Sequence, residues 1–290
     1  MKDFYLLTTE HLERCLWFRD DSDFKVAMNY VAIQAACCPD VNVLAFILMS
    51  NHVHFVLYGY RVDVEWFITH FKGRYSQYYR NKHGVKAFLH NKKVDIRYVD
   101  YLDDSLRRAI AYVQMNCVAA NICSHPSQYL WGTGNCFFAQ SRQNGISLGE
   151  LSERARERIL RTNCNCLPQD WKLSEGGYID PQQYVDIDTV EAVFRTPKRM
   201  NYFLASSSKA RTRIEAPDVN LPTFRDQTIL SALPELCNGL FHKDSFEKLS
   251  DDEKSEFAKQ VRYRFNAEAN QIARVFGISY SKAASLLDNI

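Results

Sequence analysis

The sequence lacks several features that would assign it to a broad class at once. Its 290 residues contain no apolar run near the roughly 18 residues that span a bilayer, which argues against a transmembrane protein. The formal net charge is only +2, so any surface for nucleic acid has to be local. Residues 1–5 lack the basic-then-apolar layout of a signal peptide. We therefore expect a cytoplasmic protein.

The nine cysteines also lack the paired C-x₂-C spacing of common zinc sites. Cys37 and Cys38 are adjacent, and one residue separates Cys164 from Cys166. An odd number of cysteines without a signal peptide indicates reduced thiols in a cytoplasm. With 46% hydrophobic and 24% charged residues, the composition is that of an ordinary soluble protein.

The apolar pattern of the first 122 residues predicts an α+β fold. We expect Ser105 to be the N-cap of a helix, because it follows two aspartates and begins a helical repeat. The order of elements favours an antiparallel or mixed sheet with helices packed on one face, close to a ferredoxin-like split βαβ arrangement. The predicted strands are residues 3–9, 41–50, 52–58 and 94–99, and the predicted helices are 24–37, 62–82 and 105–122.

The composition of the sequence changes twice in the rest of the chain. Residues 124–134 are rich in turn formers, and a polar stretch from Ser206 through Pro222 predicts a linker. The chain therefore divides into three predicted parts: residues 1–138, an extension and linker at 139–222, and a helical region at 223–290. Within the extension we expect helices at 148–161, 188–194 and 199–205, and irregular structure at 163–188.

The C-terminal residues 269–287 have the layout of a helix-turn-helix. Gly277 marks a turn between two short apolar-periodic segments. In that layout the start of the second helix faces DNA, and it consists of Ser279, Tyr280, Ser281 and Lys282. An ordinary pair of helices packed on the rest of the chain is the alternative.

Two histidines stand one residue apart within a run of strand-forming residues. Side chains alternate along a strand, so His52 and His54 share one face, about 7 Å apart along the strand. Two imidazoles in this position can hold one divalent metal ion. The alternatives are two structural histidines with satisfied hydrogen bonds, or a half-exposed edge strand.

A tyrosine and an asparagine lie one helical turn apart in the segment 111–118. Tyr112 and Asn116 are spaced i, i+4, which places them on one face. The phenol is a potential nucleophile, and the amide oxygen is a hard ligand that suits Mg²⁺ or Mn²⁺. Without the histidines, a buried structural tyrosine is the simpler interpretation.

Together these segments resemble the single-tyrosine HUH transposases of the IS200/IS605 type, and among them the REP-associated tyrosine transposases. The similarity covers about residues 1–138, and the order and spacing of the motifs fit. The matching segments are M-S-N-H-V-H at 49–54, F-K-G-R-Y-S-Q-Y-Y at 71–79, Y-V-Q-M-N at 112–116 and Q-Y-L-W at 128–131.

The resemblance implies an HUH nuclease core and a role for each matching residue. His52, His54 and Asn116 would bind Mg²⁺ or Mn²⁺, and Tyr112 would be the nucleophile. The implied activity is that of a single-strand DNA endonuclease and strand transferase, a transposase that forms a 5′-phosphotyrosine intermediate on hairpin-flanked DNA. Family members act as monomers or homodimers, and a bacterial, nucleoid-associated location is expected when DNA is bound.

Three residues depart from the family pattern. Ser50 stands where the family usually has proline, and Gln114 and Cys117 stand where it commonly has histidine and proline. None of them replaces a proposed ligand or the nucleophile.

The helix at 62–82 carries charge and aromatic rings suited to single-stranded nucleic acid. Cations bind the backbone of the nucleic acid while rings stack on its bases. A solvated helix face with core tyrosines is the alternative. The residues expected to contact DNA are Lys72, Arg74, Tyr75, Tyr78, Arg80 and Lys82, and the segment 71–86 also contains Tyr79 and Lys86.

Three other functions remain open at this point. A domesticated, non-catalytic DNA-binding protein could keep the transposase fold. A replication or conjugation initiator could use the same chemistry, although such proteins often carry a second tyrosine. A metal-dependent phosphohydrolase would cleave DNA without a covalent step.

Overall fold

A computed structural model describes residues 1–9, 12, 16–89, 93–120, 122–139, 145–214, 226–265, 267 and 269–288. Within these ranges it contains six β-strands and ten α-helices. No helix in this part of the chain is both long enough and apolar enough to cross a membrane.

The elements of the first half begin and end close to the predicted residues. Helix α2 ends at Gly84, which adopts a left-handed conformation (φ 66°) that a residue with a Cβ atom would strain. The strands are β1 (Asp3–Thr8), β2 (Asn42–Met49), β3 (His52–Gly59) and β4 (Asp95–Val99), and the helices are α1 (Asp21–Cys37), α2 (Arg61–His83) and α3 (Ser105–Ala119).

The predicted N-cap of α3 is displaced by one residue. Ser105 is the first helical residue, and Asp104 occupies the N-cap position without a side-chain cap bond. The N–H of Ser105 instead donates to the carboxylate of Asp103 at 2.7 Å. The Asp103 carboxylate therefore accepts a hydrogen bond from one of the first-turn N–H groups, which have no partner within the helix.

Within the described residues, these four strands form one antiparallel sheet in the order β2-β3-β1-β4. Strand β3 is interior, because it pairs with β2 on one side and β1 on the other. His54 lies opposite Ile47 of β2 and Thr8 of β1. The predicted α+β class is confirmed, and the sheet is antiparallel.

Helices cover both faces of this sheet rather than one. Phe55 of β3 packs against Phe67 and Phe71 of α2, with ring centroids 5.7 and 5.6 Å apart. The preceding residue, His54, packs against Tyr112 of α3 at 5.3 Å. Because successive strand residues point to opposite faces, α2 and α3 lie on opposite sides of the sheet. A pattern of apolar spacing cannot reveal this, since both helices bury one face.

The described residues of the segment 126–194 continue the sheet at two points along the outer edge of β2. The N–H of Leu48 donates to the carbonyl of Trp131 at 2.8 Å, and the N–H of Asp186 donates to the carbonyl of Val43 at 2.9 Å. These bonds cover backbone groups that an edge strand would leave open. The segment and the helix after it contain β5 (Ile146–Ser147), β6 (Lys172–Leu173), α4 (Glu153–Leu160), α5 (Ile187–Phe194) and α6 (Pro197–Ile214).

Two predictions in this region differ from the structure in their boundaries. The predicted helix at 148–161 is a 3₁₀ turn (Leu148–Glu150) followed by α4. Helix α6 continues through the first part of the predicted linker to Ile214. Residues 215–222 of that linker lie outside the described residues.

The C-terminal helices form a second apolar core, which includes Phe257, Ile272 and Phe276. This region contacts the first half of the chain at Arg264, whose guanidinium donates to the carbonyl of Arg19 at 2.7 Å. The Ser50 hydroxyl in turn donates to the carbonyl of Arg264 at 3.1 Å. The helices are α7 (Asp226–Phe241), α8 (Asp251–Phe265), α9 (Ala269–Phe276) and α10 (Tyr280–Asp288).

Candidate active site

The two histidines lie side by side on the face of the sheet that α3 covers. The ring centroids of His52 and His54 are 4.7 Å apart, and the rings are nearly perpendicular (82°). Both side chains are buried, and His54 is 0% exposed. The strand register therefore brings the two imidazoles together as the sequence predicts.

Asn51 fixes the protonation pattern of the first histidine. Its Oδ1 lies 2.7 Å from Nδ1 of His52. An amide oxygen only accepts hydrogen bonds, so this contact requires a proton on Nδ1, which in a neutral imidazole leaves the lone pair on Nε2. Such a hydrogen bond orients a metal-binding histidine through its second nitrogen. Asn51 was not among the predicted site residues, although it lies inside the quoted motif directly before His52.

Helix α3 places the tyrosine against this pair. The ring of Tyr112 contacts that of His54 edge-on, with centroids 5.3 Å apart and planes at 77°. Tyr112 is buried, with only 6% of its surface exposed. His52, His54 and Tyr112 thus form one continuous group of rings.

Asn116 lies one turn after Tyr112, and its amide orientation is determined by α3. Its Nδ2 donates to the carbonyl of Tyr112 at 2.8 Å and to that of Val113 at 3.3 Å. Because only the amide nitrogen can donate to a carbonyl, Oδ1 is the atom left for another ligand. Two imidazole nitrogens and one amide oxygen are a donor set that can hold a divalent cation.

The three residues that differ from the motifs of the transposases that the sequence resembles are all buried: Ser50, Gln114 and Cys117. Neither polar atom of the Gln114 side chain has a hydrogen-bond partner among the described residues, which is costly for a buried amide. The Cys117 thiol donates to the carbonyl of Gln114 at 3.2 Å. Ser50 bonds to the C-terminal region, as described above.

The predicted DNA-contacting residues of α2 point in two directions. Lys72 and Arg80 line a cleft of about 670 Å³ together with residues around β4. Arg74, Tyr78 and Lys82 line another cleft of about 620 Å³, which Arg161 also lines. Burial lowers the pKa of Lys72, since desolvation disfavours its charged form.

Tyr75 and Lys82 do not have the surroundings that DNA contact requires. Tyr75 is 0% exposed, and its hydroxyl donates to the carbonyl of Trp17. A ring without exposed surface cannot stack on a base, so Tyr75 is a core residue. The ammonium of Lys82 lies 2.7 Å from carboxylate oxygens of both Asp20 and Asp23, so its charge is already neutralised.

The predicted contact residues of the C-terminal region are all exposed: Ser279, Tyr280, Ser281 and Lys282. Gly277 has a left-handed backbone (φ 66°) between α9 and α10, as a tight turn requires. The hydroxyl of Ser279 accepts a hydrogen bond from the N–H of Lys282 at 3.2 Å, which caps α10. Tyr280, at the start of α10, is 58% exposed.

Comparison with known proteins gives limited results. No protein-family model matches the chain. No curated protein matches it either. A solved structure described as a REP-associated tyrosine transposase bound to a REP hairpin is similar, with 12% sequence identity and a TM-score of 0.37. The alignment covers 60% of this chain and 86% of that one. A likeness at this level carries no argument about activity, which has to rest on the residues of the site.

Proposed function

We propose that this chain is a metal-dependent single-strand DNA endonuclease and strand transferase, a transposase that acts through a 5′-phosphotyrosine intermediate on hairpin-flanked DNA. The observation that supports this proposal is the edge-on contact of Tyr112 with His54, beside His52 on one face of β3. A nucleophile next to two metal-type ligands is the combination that this chemistry requires.

The proposed ligands are His52 through Nε2, His54 through a ring nitrogen, and Asn116 through Oδ1. When bound there, a divalent ion such as Mg²⁺ or Mn²⁺ supplies positive charge to the phosphate oxygens and stabilises the charge that builds up in the transition state. Asn51 contributes by holding His52 in the tautomer that leaves Nε2 free of a proton.

In the proposed reaction the Tyr112 oxygen attacks the phosphorus of one phosphodiester. A bond forms between the phenolic oxygen and phosphorus, and the bond from phosphorus to the 3′ oxygen breaks. The phenol loses its proton and the departing 3′ oxygen gains one, so a 5′-phosphotyrosine and a free 3′-hydroxyl result. The covalent bond keeps the energy of the phosphodiester, so attack by another 3′-hydroxyl rejoins DNA without ATP.

The burial of the site restricts the substrate. His52, His54, Tyr112 and Asn116 are all buried, so base-paired DNA cannot present a phosphate to them without unstacking. A single strand or a hairpin tip has the freedom to enter. On the surface, Arg74 and Arg80 of α2 remain candidates for phosphate contact, and Tyr78 for base stacking.

The direct test is adduct formation with labelled single-stranded hairpin DNA from the flanks of the gene, in Mg²⁺ or Mn²⁺, on a denaturing gel. We expect a slow-migrating covalent band with the natural protein and none with Tyr112→Phe. Tyr184→Phe is the matched control, since the Tyr184 hydroxyl is buried without a hydrogen-bond partner among the described residues. Adduct formation by Tyr112→Phe would refute the assigned nucleophile.

A domesticated, non-catalytic DNA-binding protein is the second candidate. The low exposure of the site and the buried Gln114 favour it, because neither feature assists catalysis. The same gel separates the candidates: DNA binding without an adduct, while an active transposase forms one on a comparable substrate, supports the binding protein. Cleavage without an adduct would indicate a phosphohydrolase.

A further inference from the structure

Three cysteines meet on the far side of the sheet from the candidate active site. Cys37 is the last residue of α1, and Cys164 and Cys166 lie in the loop that follows α4. The sulfur of Cys166 is 2.8 Å from that of Cys37 and 2.8 Å from that of Cys164. The sulfurs of Cys37 and Cys164 are 4.0 Å apart. The fold thus brings together thiols that are separated by 127 residues in sequence.

We propose that Cys37, Cys164 and Cys166 bind one zinc ion through their sulfur atoms. Zinc binds thiolates at about 2.3 Å, which separates the sulfurs of a tetrahedral site by about 3.8 Å. The three sulfur distances lie on both sides of that value, and small side-chain rotations would equalise them. A disulfide would use two of the sulfurs and leave the third crowded against them, whereas one ion uses all three.

The surroundings of the cluster suit the charge of such a site. Three thiolates and Zn²⁺ carry a net charge of −1, and the positive charge of Arg74 acts on both Cys37 and Cys164. Burial opposes ionisation of Cys164, yet hydrogen bonds from the thiol and N–H of Cys166 hold its pKa below the usual value. Zinc binding would release the thiol protons of the ligands to solvent.

The cluster is chemically distinct from the candidate active site. Thiolates are soft ligands that select zinc, whereas the imidazole and amide groups around Tyr112 are harder. Among the described histidine, cysteine, aspartate and glutamate residues, these three cysteines are the ones whose ligand atoms come close enough together to hold a metal ion as a group of three. Cys166 is exposed, so solvent could supply a fourth ligand to an ion bound by the three sulfurs.

Zinc binding would fix the loop that follows α4, which lies beside the cleft lined by Arg74 and Arg161. α1 already holds this loop through Tyr30, whose hydroxyl donates to the carbonyl of Arg161 at 3.0 Å. The guanidinium of Arg74 lies 3.4 Å from the hydroxyl of Thr162 in the same loop. Arg74 and Arg161 both line the 620 Å³ cleft, so the ion would order one wall of it.

The test is the zinc content of the full chain, measured by elemental analysis after purification under reducing conditions and dialysis. We expect one zinc per chain, and loss of that zinc in the triple variant Cys37→Ser, Cys164→Ser, Cys166→Ser. Cys38→Ser is the matched control, because Cys38 is adjacent in sequence and lies outside the cluster. The variant His52→Gln should also keep its zinc, which separates this site from the candidate active site.

Two further measurements keep the proposal falsifiable if the triple variant does not fold. Replacing zinc with Co²⁺ should give thiolate-to-metal charge-transfer absorption that the single variant Cys166→Ser reduces. Zinc affinity of Cys166→Ser should fall by more than about 100-fold, since even ligand-orienting residues contribute 10–100-fold. A protein without zinc, or an intact mass lower by two hydrogen atoms from a disulfide among these cysteines, would overturn the proposal.

Discussion

Substitution of Lys82 on α2 tests whether this residue stabilises the fold or contacts DNA. Its ammonium lies 2.7 Å from both oxygens of Asp20 and from Oδ1 of Asp23. Burial alone would lower the pKa of Lys82, yet the hydrogen bonds to these carboxylates raise it above the usual value of 10.5. We therefore predict that Lys82→Met destabilises the fold and leaves the salt dependence of DNA binding unchanged.

The magnitude follows from the burial of the partners. Removing one member of a fully buried ion pair costs about 3–5 kcal/mol, whereas an exposed pair contributes about 0–1 kcal/mol. The Asp23 side chain is 0% exposed and that of Lys82 is 27% exposed, which places this pair between the two cases. His83 remains 3.0 Å from Asp23 and retains part of the interaction. We expect a loss of about 2–3 kcal/mol in the free energy of unfolding.

The assay is urea denaturation of Lys82→Met beside Arg80→Met. Arg80 lies on the same helix and is exposed, so its variant removes one positive charge without breaking a buried pair. Arg80→Met should change stability by less than about 0.5 kcal/mol. If Lys82→Met were as stable as Arg80→Met, and its DNA affinity depended less on salt, the structural assignment of Lys82 would be refuted.

Three other perturbations give expected outcomes. Gly84→Ala should destabilise the protein by about 1–2 kcal/mol in urea, because a Cβ strains the left-handed end of α2. Tyr75→Phe should cost about 1–2 kcal/mol, since it leaves the buried Trp17 carbonyl without its donor, while DNA affinity at each salt concentration stays the same. Burial of Asp20 opposes ionisation, yet hydrogen bonds such as that from Lys82 hold its pKa below 3.8. Its stabilisation is therefore present above pH 4 and lost as the pH falls below that, so Asp20→Asn should flatten acid unfolding followed by circular dichroism.

The sequence predicted the first half of the fold well because its signals are local. Alternation and helical spacing located β1 to β4 and α1 to α3, and the pairing of His52 with His54 follows from alternation alone. The contact of His54 with Tyr112 depends on which face of the sheet α3 covers, so only the structure could establish it.

The surroundings of Tyr75 and Lys82 on α2 show why DNA contact is difficult to predict from residue type alone. Tyr75 was assigned to DNA, although its spacing of four from Phe71 and Tyr79 marks one buried stripe of the helix. Lys82 was assigned by charge alone, and its partners Asp20 and Asp23 lie about sixty residues earlier in the chain. The cysteine cluster was missed for the same reason, since spacing rules for zinc sites detect only neighbours in sequence.

Ser50 stands where proline is usual in the transposases that the sequence resembles, and its hydroxyl makes a contact within this fold. Proline has no side-chain donor, whereas the Ser50 hydroxyl donates to the carbonyl of Arg264 at the end of α8. The same arginine donates to the carbonyl of Arg19, and the N–H groups of Trp17 and Phe18 donate to the carbonyl of Ser50. The turn that precedes His52 is therefore hydrogen-bonded to both the N-terminal segment and the C-terminal helices. The Ser50 hydroxyl therefore links the turn before His52 to the C-terminal helices through a hydrogen bond that a proline side chain could not donate.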